Sequence, residues 1–421
     1  LSSIKKLLVI GYVWPEPNSS AAGQYMLKLL KTFLAQNYQI TFACAASESI
    51  HRYPFEQLGI TKAEIKLNCA SFDDFIVELQ PDVVLFDRFM IEEQFGWRVA
   101  KHCPNALRIL DLEDLWSLRH IRMQAYKQQR PLQPSDYLQD LVLRELASIW
   151  RCDLSLVISH YEMDLLVNQF KVPAHILAHL PFVVEDEQLA QLQTQAKPFE
   201  NRAHFVFIGN FKHEPNWDAV LFLKQQVWPL ISKQIKDAEL HIYGAYPAKK
   251  VTDLHNPKQR FLVKGWADDA NAVVANARIC LAPLRFGAGL KGKLFEAMQL
   301  GTPSVTTSVG IEGYFDSAVS VDDIRNSYWP GAVADDAELI ASKAVELYNN
   351  QVLWQAAQDK AWGMLQRFRE SSFLPEFCAR IEAIQQDLVA HRAQNIIGAM
   401  LQHHTMKSTQ YMAQWIAAKN A

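Results

Sequence analysis

Short, unbroken apolar runs recur along the first half of the chain, separated by segments with apolar residues at helical spacing. The run KLLVIGYV at 6–13 has large aliphatic residues with no polar alternation. That is the pattern of a strand covered on both faces. Runs at 39–46 (QITFACAA), 82–87 (DVVLFD), 106–112 (ALRILDL) and 154–160 (LSLVISH) repeat it. Between them, 24–37 and 135–151 carry the period of helices, the second with Ser135 as N-cap candidate. Strands and helices in alternation predict a parallel sheet wrapped on both faces.

The segment 180–204 interrupts this rhythm: it is polar, has prolines near both ends and contains no strong strand pattern. It predicts an interdomain linker, set at 186–203, after a first domain at 1–185. Alternation then restarts, with strands expected at 204–211, 238–245, 261–266, 279–284 and 302–311, and helices at 216–235 and 336–350. A second doubly wound domain is therefore expected at 204–370. No strong repeat relates the two halves. Beyond 371 the pattern is helical to 421, and this tail has three readings: a return onto the first domain, a contact with a partner, or a contact with a membrane surface.

Composition narrows the function classes. A chain of 421 residues with 49% hydrophobic residues is long enough for two cores. A net charge of −3 gives no electrostatic footprint for nucleic acid, and none is expected as a partner. The six cysteines sit apart with no CxxC, as buried thiols in a reducing compartment would. The opening LSSIKKLLVIGYVW reads as a first strand, not a leader, because its apolar run is short and no small-residue cleavage site follows. No apolar stretch approaches the roughly 20 residues that span a bilayer. A cytoplasmic protein is expected, with the inner membrane face as a peripheral alternative; the oligomeric state is not legible.

Ligands of open parallel sheets bind beyond the carboxyl ends of the strands. The loop RFGAGLKGKLFE at 285–296 lies there, opening a helix. Its glycines, including Gly289 and Gly292, let backbone approach a ligand, and helix-start amides favour an anion. Lys291 and Lys293 add positive charge, and Glu296 can accept from a ribose diol. The combination points to a nucleoside diphosphate. The plain alternative is a glycine turn with solvated lysines and a self-capping glutamate. In the first domain, SSAAG at 19–23 places Gly23 at a strand–helix turn, where its amide can meet a phosphate or simply make the turn. DLEDLWSLRH at 111–120 gathers three carboxylates beside Arg119 and His120; Asp111 and Asp114 are candidate bases, or local ion-pair and capping groups. FDRFMIEEQFGWR at 86–98 offers Arg88 and Glu92 for an acceptor-side wall. Nothing has metal-ligand spacing: His403 and His404 are adjacent and face different sides of a helix. Neither a P-loop nor a nucleophile elbow occurs.

The string FIGNFKHEPNWDAVLFL, LHIYGAYP, VKGWADDANAVVANARICLAPLRFGAGLKGKLFEAMQLGTPSVTTSVGIEG and DDAELIASKAVELYNN resembles, in order and spacing, the GT-B-fold glycosyltransferases of group 1 or family 4. The resemblance implies two Rossmann-like domains facing a cleft, with helices at the end of the chain. It implies a nucleotide-sugar donor, UDP- or GDP-linked, as substrate, with neither cofactor nor metal, and a glycan, lipid-linked or other hydroxyl acceptor. Carried over by position, Glu296 would hold the ribose and backbone near Gly265 and Trp266 the base. Lys291, Lys293 and the Gly289–Gly292 amides would hold the diphosphate, with Asn210 and Lys212 on the same donor side and Gly23 approaching from the first domain. Lys291 would stabilise the leaving diphosphate, and Arg119, Arg88 and Glu92 would face the acceptor. Ala288 departs from the pattern, since many members carry a glutamate eight positions before the one at 296. Retention of configuration is therefore in question. Two other readings stand beside transfer: a non-catalytic sugar-nucleotide or partner-binding module, and a UDP-sugar 2-epimerase-like isomerase of the same fold.

Overall fold

The computed structural model describes residues 4–420, apart from the side chains of 404–406, so His404 falls outside the described side chains. The first sheet contains β1 (Lys6–Gly11), β2 (Gln39–Cys44), β3 (Thr61–Glu64), β4 (Val83–Asp87), β5 (Leu107–Asp111), β6 (Leu154–Val157) and β7 (Leu177–His179). They lie parallel in the order β3-β2-β1-β4-β5-β6-β7. The second sheet contains β8 (Ala203–Ile208), β9 (Leu240–Tyr243), β10 (Phe261–Gly265), β11 (Ala277–Ala282), β12 (Ser304–Thr306) and β13 (Gly331–Val333), parallel in the order β10-β9-β8-β11-β12-β13. The fold is GT-B: two doubly wound α/β domains with helices at the end of the chain. Chain direction across each sheet reverses once, at β1/β4 and at β8/β11, which opens a crevice at the carboxyl ends there.

The unforeseen strands are edge pieces. β3 (TKAE) is partly exposed along its length, and β7 and β13 have only three residues each, too few to show a period. The expected strand at 302–311 is shorter than its apolar run. After Thr306, the Thr307 side chain accepts the Gly310 amide and caps a short helix, Ser308–Ile311. The linker region holds a helix, Asp186–Gln195, that its polarity concealed.

The end of the chain returns to the first domain. Helix Glu370–Gln386 buries Phe377, Ile381 and Ile384, with Phe377 edge-on to Phe33 at 6.0 Å. Where it crosses the linker, the Val184 amide donates to Phe368 O at 2.8 Å and the Glu370 amide to Val184 O at 2.9 Å. The last helix, Ile396–Asn420, lies across helices Phe89–His102 and Asp140–Arg151 of the first domain.

Candidate functional site

The loop between β11 and helix Gly292–Gln299 is tied at both ends before any ligand arrives. Arg285 is committed to Asp218 through two bonds of 2.9 and 2.7 Å. The Tyr314 hydroxyl donates to Lys291 O at 2.9 Å, fixing the residue before the helix. Gly289 has φ +63, in the left-handed region, and a Cβ there would meet Asp114 Cβ of the first domain at 2.8 Å. From that conformation Lys291 and Lys293 turn into a cavity between the domains.

This cavity has a volume of about 470 Å³. Ser20, Gln24 and Asp114 line it from the first domain, and Asn216, Trp266, Lys291, Lys293 and Glu296 from the second. Lys291 Nζ donates to Gly289 O at 2.7 Å, and Lys293 Nζ to Asn216 Oδ1 at 2.6 Å. Among the described residues neither ammonium has a carboxylate within ion-pair distance. Burial depresses both, Lys293 to about 8. Burial likewise raises Glu296 to about 7, against the opposing charge of Lys293, and its Oε1 accepts from Gln24 Nε2 at 3.1 Å. A buried Lys291 and a half-buried Lys293, neither in direct contact with a carboxylate, are costly to keep charged unless an anion completes the site. A diphosphate between the lysines, with a ribose near Glu296, fits that requirement.

Next to it lies a second cavity of about 390 Å³, mostly walled by the first domain: Tyr12, Trp14, Arg88, Glu113, Trp116 and His120. The two cavities share Arg88, Glu113, Arg119, Asn210 and His213. Arg88 and Glu113 stand at the ends of β4 and β5 with φ of +74 and +57, uncommon for such side chains. Each holds the other: Arg88 Nε donates to Glu113 Oε2 at 2.9 Å, with Nη2 on the same oxygen. Burial raises the Glu113 carboxyl to about 7 although Arg88 opposes it. Arg119 pairs with Asp114 at 3.3 Å, lies 4.6 Å over the Trp116 ring and donates to His213 Nδ1 at 3.1 Å. Burial, then the charge of Arg119, lowers His213 to about 4, so this imidazole is neutral at pH 7 and a weak base.

Several residues singled out from sequence lie elsewhere. Glu92 lines neither cavity; it is buried in an ion pair with Arg151. Asp111 lines neither cavity. It is fully buried, Oδ2 has no hydrogen-bond partner among the described residues, and burial together with Glu113 and Asp87 pushes it well above the carboxylate range. Lys212 faces the second cavity, with Nζ 3.5 Å from the Tyr246 ring centre, rather than the donor side. Gly23 also borders the second cavity; its amide is spent on the Ser20 cap at 3.1 Å, and it is glycine because the Glu16 backbone leaves no room for a Cβ. The Gly289 amide is spent as well, donating to Glu162 Oε1 at 2.7 Å. Asn210, Trp266, Gly292, Lys291, Lys293, Glu296, Asp114, Arg88 and Arg119 do line the cavities. Trp266 stacks on His51 across the cleft, centroids 4.0 Å apart.

Sequence reasoning missed the ties that hold the domains together. Glu162 Oε1 accepts from Leu115 N (3.1 Å) in its own domain and Gly289 N (2.7 Å) in the other. Arg122 donates to Gly287 O at 2.8 Å and forms a forked pair with Glu312. The two first-domain side chains thus grip the glycine loop on either side of Ala288, itself packed into a first-domain apolar cluster. His204, Glu239 and His241 also come together, ligand atoms within 4.8 Å. That group is already satisfied: His204 Nδ1 accepts the Glu239 amide at 3.2 Å, and His241 bonds Glu239 at 2.6 Å.

Residues 202–350 match the family model described as Glycosyl transferases group 1. Over those residues the second domain is similar to the group 1 glycosyltransferases. No curated protein sequence matches the chain. Among solved structures, a sucrose-phosphate synthase from Thermosynechococcus elongatus is 14% identical over 90% of this chain and 99% of its own, with TM-score 0.64. HepE of Anabaena, solved with UDP and glucose, is 11% identical over 90% of this chain and 100% of its own, TM-score 0.64. TarM is 11% identical over 90% and 99%, TM-score 0.65. At these identities the likeness is one of fold, and with the group 1 match it supports sugar transfer.

Helix Gly292–Gln299 starts directly against the first domain. A Cβ on Gly292 would run into Ala21 Cβ. Gly292→Ala is expected to wedge the cleft open and lower donor kcat/KM by about tenfold or more, since small misplacements are expensive in rate. Gly292→Ala combined with Ala21→Gly should recover it. Steady-state kinetics of the two variants, with small-angle scattering for the opening, decides this; equal loss in both would reject the wedge.

Proposed function

We propose that this protein transfers a sugar from a UDP- or GDP-linked donor to a hydroxyl of a glycan or lipid-linked acceptor. The observation that carries the reading is a pair of ammoniums with no carboxylate in ion-pair contact, Lys291 buried and Lys293 half-buried, at the opening of helix Gly292–Gln299. HepE, of like fold, was solved with UDP-glucose. In this reading Lys291, Lys293 and first-turn amides stabilise the leaving diphosphate, which needs no metal. Glu296 accepts from the ribose and Trp266 borders the base. The acceptor enters the second cavity against Tyr12, Trp116 and Arg88.

Proton removal depends on stereochemistry. For retention the leaving phosphate takes the acceptor proton. For inversion Asp114, oriented by Arg119 and lining the cavity, is the carboxylate in place. Ala288 gives the sugar no carboxylate from the glycine loop.

The test is calorimetric titration with UDP-, GDP- and ADP-sugars. One nucleotide class is expected to bind saturably, with Glu296→Ala weakening it about tenfold or more through loss of charge-assisted bonds to the diol. Folded protein that binds none of them would overturn the reading. Binding without transfer to any hydroxyl acceptor would leave a sugar-nucleotide binding module instead.

A further inference from the structure

The last helix, Ile396–Asn420, presents two unlike faces. Its inner face is held down by polar contacts to backbone: Asn395 Nδ2 donates to Trp150 O and Gln402 Nε2 to Arg151 O, both at 2.8 Å. Gly398 backs onto Trp150 O with no space for a side chain, and Ala413 is 4% exposed. Its outer face carries Ile396, Ile397, Met400, Tyr411, Met412 and Trp415, all exposed; Tyr411 is 63% and Trp415 60% exposed. At 100° per residue, Ile396, Ile397, Met400, Tyr411 and Trp415 fall on one stripe. Exposed Lys407 lies one turn before Tyr411, and Lys419 one turn after Trp415 with its Nζ 5.3 Å from that ring centre.

We propose that this helix seats the protein on an anionic lipid surface. Three observations commit it to that occupant. Residues 388–420 contain no Asp or Glu, in a chain that has 45 of them, so the helix itself offers no carboxylate to repel phosphate headgroups. Exposed Trp and Tyr with flanking Lys are the side chains that settle at the headgroup level, rings toward the acyl boundary and ammoniums toward phosphate. A second copy of the same face is the poorer partner. A two-fold contact would bring two acid-free surfaces together, with Lys407 and Lys419 lacking a carboxylate to meet. No helix among the described residues is long and apolar enough to cross a membrane, so this one lies along the surface.

Co-sedimentation of the full chain with vesicles tests this without donor or acceptor, so its failure leaves the sugar-transfer reading standing. The protein is expected to pellet with phosphatidylcholine–phosphatidylglycerol vesicles and to be released by salt. Phosphatidylcholine alone should bind it about tenfold less or weaker still. Tyr411→Ser with Trp415→Ser should cut binding by about tenfold or more, through lost apolar burial. Lys407→Glu with Lys419→Glu, at exposed sites that leave the fold intact, should abolish the preference for the anionic lipid. Absence of binding to either vesicle overturns the proposal, as does binding that both double variants leave unchanged. A dimer by light scattering that Tyr411→Ser with Trp415→Ser dissolves, without vesicle binding, replaces it by self-association.

Discussion

Lys291→Met is expected to lower kcat/KM for the nucleotide-sugar donor by about a hundred- to a thousandfold, the usual loss when one oxyanion-stabilising group is removed. The same variant should unfold at an equal or higher temperature. Both halves follow from one feature. Lys291 is 6% exposed, and among the described residues its ammonium donates to one carbonyl, Gly289 O at 2.7 Å. Holding a charge there is unfavourable in the empty protein, and burial lowers its proton affinity accordingly. Methionine fills a similar volume without the charge. With a diphosphate in the cavity the balance reverses, because the cation then faces the charge that develops on the leaving group. Kinetics and thermal unfolding of the same preparation measure the trade. A variant that loses stability as well as turnover would mean that Lys291 holds the loop rather than the ligand.

The two halves of this site were unequally legible. Glycines, lysines and a glutamate within 285–296 are neighbours in sequence, so their spacing along one loop and one helix start exposed the donor side. The core strands were legible for a similar reason, since a strand buried on both faces is written in consecutive residues. What escaped was written across long separations. Gly289 meets Glu162 from 127 residues away, and Arg122 meets Glu312 across 190. No local pattern marks either pair. The sequence pattern predicts an anion-binding amide at Gly289, yet its N–H is consumed by Glu162. The sequence pattern predicts a wall residue at Glu92, yet it pairs inward with Arg151. In both cases an unseen partner decided the role. The resemblance to known transferases located the donor loop and exposed the alanine at 288, but Ala288's packing against the first domain depends on how the cleft closes.

That closure leads to the largest expected change in stability. Glu162→Gln should raise the unfolding midpoint at pH 8 by several degrees and change it little at pH 5; about 1 kcal/mol corresponds to roughly 2–4 °C in domains of this size. Burial, with the charge of Asp114 adding to it, pushes Glu162 up to about 8, against the opposing effect of its two amide bonds. In the unfolded chain a glutamate titrates near 4.3, so the folded protein binds the extra proton between these values. Stability from this group is therefore full below about 4.3 and is lost as pH rises through about 8. Glu296, Glu113 and Glu145, each raised to about 7, slope the same way over a narrower window. Lys293, lowered to about 8, acts between 8 and its ordinary value near 10.4, with stability rising with pH there, so its contribution is separable. Glutamine keeps the oxygen that accepts Leu115 N and Gly289 N and removes the charge, which is what protonation does to the wild type. A stability-versus-pH curve whose slope between 5 and 8 is the same in both proteins would assign that proton elsewhere. A flatter curve in the variant would place it on the carboxyl that joins the first domain to the glycine loop.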